Sequence, residues 1–397
     1  MRRERLPGAD LALSGPARHH GGVTIFDRRP VLRWVAPAVA VALIVGGTLV
    51  GSVAASADAG LPAKSASELL VDLQGAQPVA MSGTIESRAD LGLPELPAMA
   101  PTGSDLTSLV SGTHTLRVWT DGATRSRLAL VGPQQETDVY RDGRDMWLWS
   151  SSDQTAEHIV APQSEGMPDL PSDLPAGVTL PSTPAEAANQ ALAAIDPSTT
   201  VTTTGVAKVA GRAVYELVLT PKQDATLVAK IAIAIDAETS TPLRVQVYSR
   251  QLQDPAFEIG FTSVDFGPVD DGIFAFTPSP GATVTDHAVP SGEPVAGAAM
   301  PDLDTPPAVV GTGWESVIVA KMPAPTGADA AGASDAPASD SAGSLTGMLD
   351  LLPVTTGPWG SGRVLAGTLF SVILTDDGRV AIGALSPDAV GAALAAA

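Results

Sequence analysis

Residues 229–250 read AKIAIAIDAETSTPLRVQVYSR. Ile231, Ile233 and Ile235 alternate with Ala232 and Ala234 before Asp236. After a turn at Asp236–Thr241, Leu243, Val245 and Val247 alternate with Arg244, Gln246 and Tyr248. Successive side chains of a strand point to opposite faces, so this period of two predicts antiparallel strands with one apolar face. Phe257, Ile259 and Phe261, alternating with Glu258, Gly260 and Thr262, continue the pattern. It extends outward over residues 76–160 and 201–285, with turn signals at Asp121-Gly122, Asp142-Gly143 and Asp270-Asp271-Gly272. Of the 16 aromatic residues, 11 lie between Trp119 and Phe276, which places the main core there. One large, meandering antiparallel sheet is expected.

Helices are expected at its margins. Ser65-Ala66-Ser67-Glu68 is a capping box ahead of Leu69, Leu70 and Leu73, with Gly75 as a stop. A second box, Thr183-Pro184-Ala185-Glu186, opens a helix that runs to Asp196-Pro197. Residues 89–112 form a long loop that carries Leu91, Leu93, Leu96, Met99, Leu106 and Leu109, and residues 161–184 are a Pro-rich insertion. Residues 288–344 read as a linker, flexible in composition over 321–344, with a strand at 314–319. In the 345–397 extension, Leu345–Leu352 is expected as a short helix, Gly367–Leu374 and Arg379–Leu385 as a hairpin, and Ser386–Ala397 as a terminal helix. Two strands alone are marginal, so the tail is expected to dock on the main sheet together with Trp314–Val319.

The chain has 397 residues, 43 acidic and 23 basic, for a net charge of −20. The charge is divided. Residues 1–57 hold seven arginines against Glu4, Asp10 and Asp27, a net of +4, so the remainder carries −24. Within this basic end, Trp34–Ala55 is 22 residues without a charge, long enough to span a bilayer. Arginines precede it and the next basic residue is Lys64, an asymmetry that keeps residues 1–33 in the cytoplasm and sends the body out. Ala55-Ser56-Ala57 fits the small-x-small pattern of signal peptidase. Retained anchor and cleaved signal over 34–57 both stand, and either makes the body at 58–287 and beyond extracytoplasmic.

Acidity argues against nucleic acid as a partner. The chain has no cysteine, which excludes disulfides, thiol catalysis, Cys-ligated metal and a lipidated N-terminal cysteine. No nucleophile elbow, H-E-x-x-H, Walker loop or dinucleotide fingerprint occurs, and His114, His158 and His287 read as surface or packing residues. No catalytic residue, metal site or cofactor is expected, and the chain is read as not an enzyme. What stands out is apolar surface. Trp119, Tyr140, Trp147 and Trp149 crowd into LRVWT and VYRDGRDMWLW, where Met146 and Leu148 alternate with the tryptophans. A strand apolar on both faces is covered on both, by core on one side and by a helix, flap or ligand on the other. An apolar sheet face under an incompletely filling helix is a binding site with a lid.

In order along 65–285, the segments SASELLVDLQGAQPVAMSGTIES, THTLRVWTDGATRSRLAL, ETDVYRDGRDMWLWSSSDQTAEH, YELVLTPK, AKIAIAIDAETSTPLRVQVYSR, FEIGFTSVDF and FAFTPSPGATV resemble the LolA-type lipoprotein carriers and the related RseB-type sensors. The resemblance implies a mainly β (α+β) fold, an incomplete antiparallel β-barrel with a helical lid. It also implies a lipid or acylated protein as ligand, with no cofactor. Positions matching the family's sheet are Trp119, Leu128, Leu130, Trp147, Trp149, Tyr215, Ile233 and Val245, expected to line the apolar cavity. The helix at 184–195, with Leu192 and Ile195, and the opening helix are the expected lid, and the loop 89–112, with Leu93, Leu96 and Met99, is the additional flap. A carrier of lipids or acyl chains is the first reading. A sensor acting on a membrane-protein partner is the alternative.

Overall fold

The computed structural model describes residues 61–93, 109, 111–133, 135–160, 181–193, 195–288, 307–321, 352 and 354–397. The basic N-terminus, the apolar segment 34–57, Leu96 and Met99 of the flap, most of the Pro-rich insertion and the expected helix at 345–352 (Leu352 apart) lie outside these residues. Among the described residues, no helix is long and apolar enough to cross a membrane.

The first described element is α1 (Ala66–Gly75), held by its capping box: Ser65 Oγ accepts from the Glu68 amide, and the Glu68 carboxylate accepts from the Ser65 amide at 2.7 Å. Six strands follow, β1 (Met81–Ala89), β2 (Gly112–Thr120), β3 (Arg125–Val131), β4 (Glu136–Asp142), β5 (Asp145–Ser150) and β6 (Thr155–Val160). After α2 (Pro184–Ala193) come β7 (Thr199–Val209), β8 (Arg212–Pro221), β9 (Val228–Asp236), β10 (Pro242–Ser249), β11 (Pro255–Phe266) and β12 (Thr283–Ala288). At the start of α2, Thr183 Oγ1 accepts from the Glu186 amide, while the Glu186 carboxylate reaches back to the Ser182 amide at 2.8 Å.

These twelve strands form one sheet in the order β12-β6-β5-β4-β3-β2-β1-β11-β10-β9-β8-β7. β1 therefore sits inside the sheet, where β11 returns to pair with it. The expectation of an antiparallel sheet throughout needs one correction: β12 pairs with β6 in parallel. It can do so because residues 267–282 carry the chain from the middle of the sheet to its far edge, and a parallel pairing requires such a crossover. The sheet is open, with β7 and β12 as its edges, and it curls. β7 comes within contact of β11, four strands away in the order, and the Arg212 guanidinium at the start of β8 lies 4.7 Å over the Phe266 ring at the end of β11.

The C-terminal part forms its expected hairpin and terminal helix but departs from expectation in where the hairpin pairs. It does not add a hairpin to the main sheet but builds a second one from β13 (Ala308–Val310), β14 (Val317–Lys321), β15 (Val354–Gly357), β16 (Gly360–Ala366), β17 (Ser371–Thr375) and β18 (Arg379–Gly383). Their order is β13-β14-β18-β17-β16-β15, and α3 (Pro387–Ala396) packs on one face with Val390 and Leu394 against Val317, Ile373 and Ala381. Trp314 lies on a short 3-10 turn ahead of β14 rather than in a strand. At Gly362, which pairs with Thr375 of β17, a Cβ would sit 2.1 Å from the Leu374 carbonyl oxygen.

Candidate functional site

Register decides which side chains share a face. Val245 of β10 pairs with Ile233 of β9 and with Ile259 of β11, and Ile233 pairs with Leu217 of β8. Crossing β11 and β1, Phe261 pairs with Ile85, Ile85 with Leu116, Leu116 with Leu130, and Val118 with Leu128. On the far side Leu128 pairs with Val139, Val139 with Leu148, and Met146 with Ile159. One face of the sheet thus carries an apolar row from β8 to β6, with Arg141 paired to Met146 and Glu157 to Leu148 at its far end. Ile233, Leu217, Ile85, Leu116 and Ile259 on it are fully buried.

α1 and α2 both lie against this face, with their main contacts over the β7–β11 half. α2 packs on β10 and β11 through Ala187, Ala188 and Ala191, whose small side chains allow a close approach, and Ile195 follows just beyond it. α1 packs on β7 and β8 through Leu69 and Leu70. Tyr215, on the same face of β8, fixes the approach to α1: its hydroxyl donates to the Pro62 carbonyl at 2.9 Å, and the Lys64 ammonium stands 5.0 Å over its ring. Over the β2–β6 half, Leu128, Val139 and Met146 are buried, while Leu148 and Ile159 are half-buried. Leu91 and Leu109, which bracket the apolar flap, join the same cluster, and Leu93 packs on it half-buried.

The expected site residues divide between the two faces. Leu128, Leu130, Tyr215, Ile233 and Val245 share the helix-covered face, and Leu192 and Ile195 pack on it. Trp119, Trp147 and Trp149 do not belong with them. Trp119 pairs with Arg127, Arg127 with Tyr140, Tyr140 with Trp147, and Trp149 with Asp138, all on the opposite face. The crossover at 267–282 lies over that face as a strap. Phe276 sits 4.9, 5.3 and 5.9 Å from the rings of Tyr140, Trp147 and Trp149, and Arg125 holds Asp271 at 2.8 Å. The aromatic cluster is therefore filled by the chain's own strap, and the expectation that these tryptophans line the same cavity as Ile233 is corrected.

Beneath the strap lies a charge pair that sequence reading did not single out. The Arg127 guanidinium bonds the Asp138 carboxylate at 2.8 Å and lies 5.0 and 4.8 Å over the rings of Trp119 and Tyr140. Burial pushes the Asp138 carboxyl up to about 6, against the opposing pull of the Arg127 hydrogen bond. The signal in the sequence is an Asp and an Arg inside strands whose same-face neighbours are aromatic. Ser87, on the helix-covered face of β1, was also missed. It is buried at 1% exposure between Ile85 and Ala89. A cleft of about 360 Å³ at the ends of β1 and β11 is lined by Arg88, Asp90, Asp254, Pro255 and Glu258. Four of those five residues are charged, the wrong lining for a hydrocarbon chain. Among the described residues, no group of three His, Asp or Glu side chains is placed to hold a metal ion.

The second sheet touches the base of the flap. The Thr368 amide donates to the Leu91 carbonyl at 2.8 Å, and its hydroxyl to the Asp90 carbonyl at 2.9 Å. Ser249 Oγ, at the end of β10, donates to the Thr368 carbonyl at 2.6 Å. Leu227 joins in through its amide, 2.8 Å from the Ala384 carbonyl, and Trp314 Nε1 donates to Thr199 Oγ1 at 2.8 Å.

No family model and no curated protein matches the chain. Similar solved structures include the Pseudomonas aeruginosa MucA/MucB complex, 16% identical over 83% of this chain and 96% of that chain, with a TM-score of 0.40. An uncharacterized conserved protein from Thermus thermophilus is 10% identical over 56% of this chain and 99% of that one, with a TM-score of 0.32. A LolA superfamily protein from Nitrosomonas europaea is 11% identical over 54% of this chain and 99% of that one, with a TM-score of 0.23.

Proposed function

We propose that the protein is an extracytoplasmic binding and carrier protein for lipids or lipoprotein acyl chains, attached to or released from the membrane through residues 34–57, with no catalytic role. The observation that carries this reading is the mismatch of area on the helix-covered face. An apolar row runs from β8 to β6, while α1 and α2, 10 residues each, make their main contacts with β7, β8, β10 and β11. Leu148 and Ile159 are left half-buried on the other half. Burying an acyl chain there gains ~0.8 kcal/mol per methylene. A chain of about 14 methylenes gains roughly 11 kcal/mol before the costs of immobilisation, enough for tight binding without a charged anchor. The test is native mass spectrometry, with lipid extraction, of the full chain purified from its host membrane. A stoichiometric acyl-bearing species supports the reading, and a ligand-free protein whose hydrocarbon face takes up no added lipid overturns it.

A second reading, a sensor that reports ligand occupancy to a membrane-protein partner, is favoured by one observation. Thr368 of the second sheet is bonded to Asp90 and Leu91, the base of the flap, and to Ser249 of β10. A shift of the flap on ligand entry is thereby felt in the second sheet. Crosslinking in intact cells from Val309 and Ile318, both exposed on the second sheet, should then capture one membrane protein in a yield that changes with lipid supply. A yield indifferent to lipid leaves the carrier reading alone.

A further inference from the structure

Ser87 is out of character with its surroundings. It sits in mid-β1 with Ile85 and Ala89 beside it on the same face, and across the sheet it pairs with His114 of β2 and Ile259 of β11. The residue is 1% exposed, and among the described residues its Oγ has no hydrogen-bond partner. The alternate residues Glu86 and Arg88 bond each other at 3.0 Å on the opposite face, so the strand's charges do not reach it. Opposite it, His114 has its Nε2 at 2.8 Å from the Ser111 carbonyl. A buried hydroxyl left unmade costs folding free energy, and buried polar groups in folded proteins nearly always have a partner.

A hydroxyl has one hydrogen to donate and two lone pairs to accept with. A hydrocarbon chain offers it nothing, whereas the carbonyl of an acyl ester or amide offers an acceptor. We propose that Ser87 Oγ is the polar fixed point of the apolar trough and donates a hydrogen bond to the ester or amide carbonyl of an acylated ligand. The proposal rests on the reading of the helix-covered face as an acyl-chain site and narrows its ligand class from hydrocarbon in general to acyl groups bearing a carbonyl. With the carbonyl at β1, the chain runs along the β2–β6 half of the face toward the half-buried Leu148 and Ile159, displacing the contacts that bury Leu116, Leu130, Val139 and Met146.

The test uses the full chain in a fluorinated surfactant, which does not compete for hydrocarbon. Methyl palmitate carrying ¹³C at the carbonyl and hexadecane are compared as competitors for bound N-phenyl-1-naphthylamine. Ser87→Ala should weaken methyl palmitate about 3- to 10-fold relative to hexadecane, the range of one neutral hydrogen bond. It should also abolish the hydrogen-bonded shift of the ¹³C carbonyl stretch, which Ser87→Thr restores. The ligand-free Ser87→Ala protein should melt no lower than the parent, because it loses an unpaired buried hydroxyl. An unchanged probe ratio with an unchanged carbonyl stretch overturns the role of Ser87, assigning its hydroxyl to an internal water, and leaves the trough standing. Failure of both probes to displace the dye from the parent protein overturns the trough reading and this proposal with it.

Discussion

Replacing Arg127 by Met tests the face opposite the trough. Asp138 is 3% exposed and its carboxylate is bonded by Arg127 at 2.8 Å. Arg127→Met keeps an apolar stem under Trp119 and Tyr140 but leaves a buried carboxylate without its cation, an error that costs about 3–5 kcal/mol. The cost depends on pH. Burial raises the Asp138 carboxyl from 3.8 to about 6 in the folded parent. A folded pKa above the unfolded one means that stability is fully present below about pH 4 and is lost as pH rises through about 6. Removing Arg127 takes away the interaction that opposes this shift, so the variant's carboxyl rises further. Urea titrations followed by circular dichroism should therefore show Arg127→Met losing about 3–5 kcal/mol at pH 7.5 but only about 1 kcal/mol at pH 4, where the carboxyl is neutral and the loss is that of the cation–ring contacts. In calorimetry at pH 7.5 this is a fall in Tm of about 6–20 °C. The double change Arg127→Met with Asp138→Leu should recover most of the loss. Equal losses at both pH values, or a loss below about 1 kcal/mol at pH 7.5, would refute the account of a buried pair beneath the strap.

Three further outcomes are expected. Ile233→Ala removes three carbons from a fully buried side chain and should cost about 3–4 kcal/mol in urea unfolding; a loss under about 1 kcal/mol contradicts its place in the packed sheet. Phe276→Ala removes the ring that touches Tyr140, Trp147 and Trp149. It should cost about 1–2 kcal/mol and red-shift the tryptophan emission, and an unchanged spectrum would mean that the strap does not shield them. Gly122→Ala places a Cβ 2.7 Å from Ala80 N at a φ of +75° and should cost about 1–3 kcal/mol by thermal melt; a neutral result would mean that the β2–β3 turn differs.

Where one face of a strand is apolar and the other polar, the sequence alone decides both strand and side, as in Leu243, Val245 and Val247 of β10. β5 is different. Met146 and Leu148 alternate with Trp147 and Trp149, so alternation carries no phase, and only the pairing of Leu128 with Val139 and Val139 with Leu148 assigns the tryptophans to the strap side. The strap has no period to read: FAFTPSPG places Phe276 by a long-range crossover that local pattern cannot encode. The capping box at Ser65 and the helix start at Thr183 are legible because a helix start is a local hydrogen-bond problem, although the Glu186 carboxylate bonds the Ser182 amide instead of that of Thr183. The second sheet was half legible. β17 and β18 alternate cleanly, but VTTGPWGSGRVLA spreads its glycines through β15 and β16, and at Gly362 the reason is the Leu374 backbone of the neighbouring strand. Ser87 alternates correctly with Glu86 and Arg88. Its significance lies in what fails to reach it, which no sequence records.

The most direct test of the account is photocrosslinking of the full chain with a diazirine-bearing palmitoyl ester, followed by peptide mapping of the adducts. If an acyl chain binds the helix-covered face, adducts fall on that face, at Leu130, Val139, Met146 or Leu148 and on the facing side of α2, and unlabelled ester suppresses them. Adducts confined to residues 34–55, or to the strap side around Trp147 and Phe276, would contradict it.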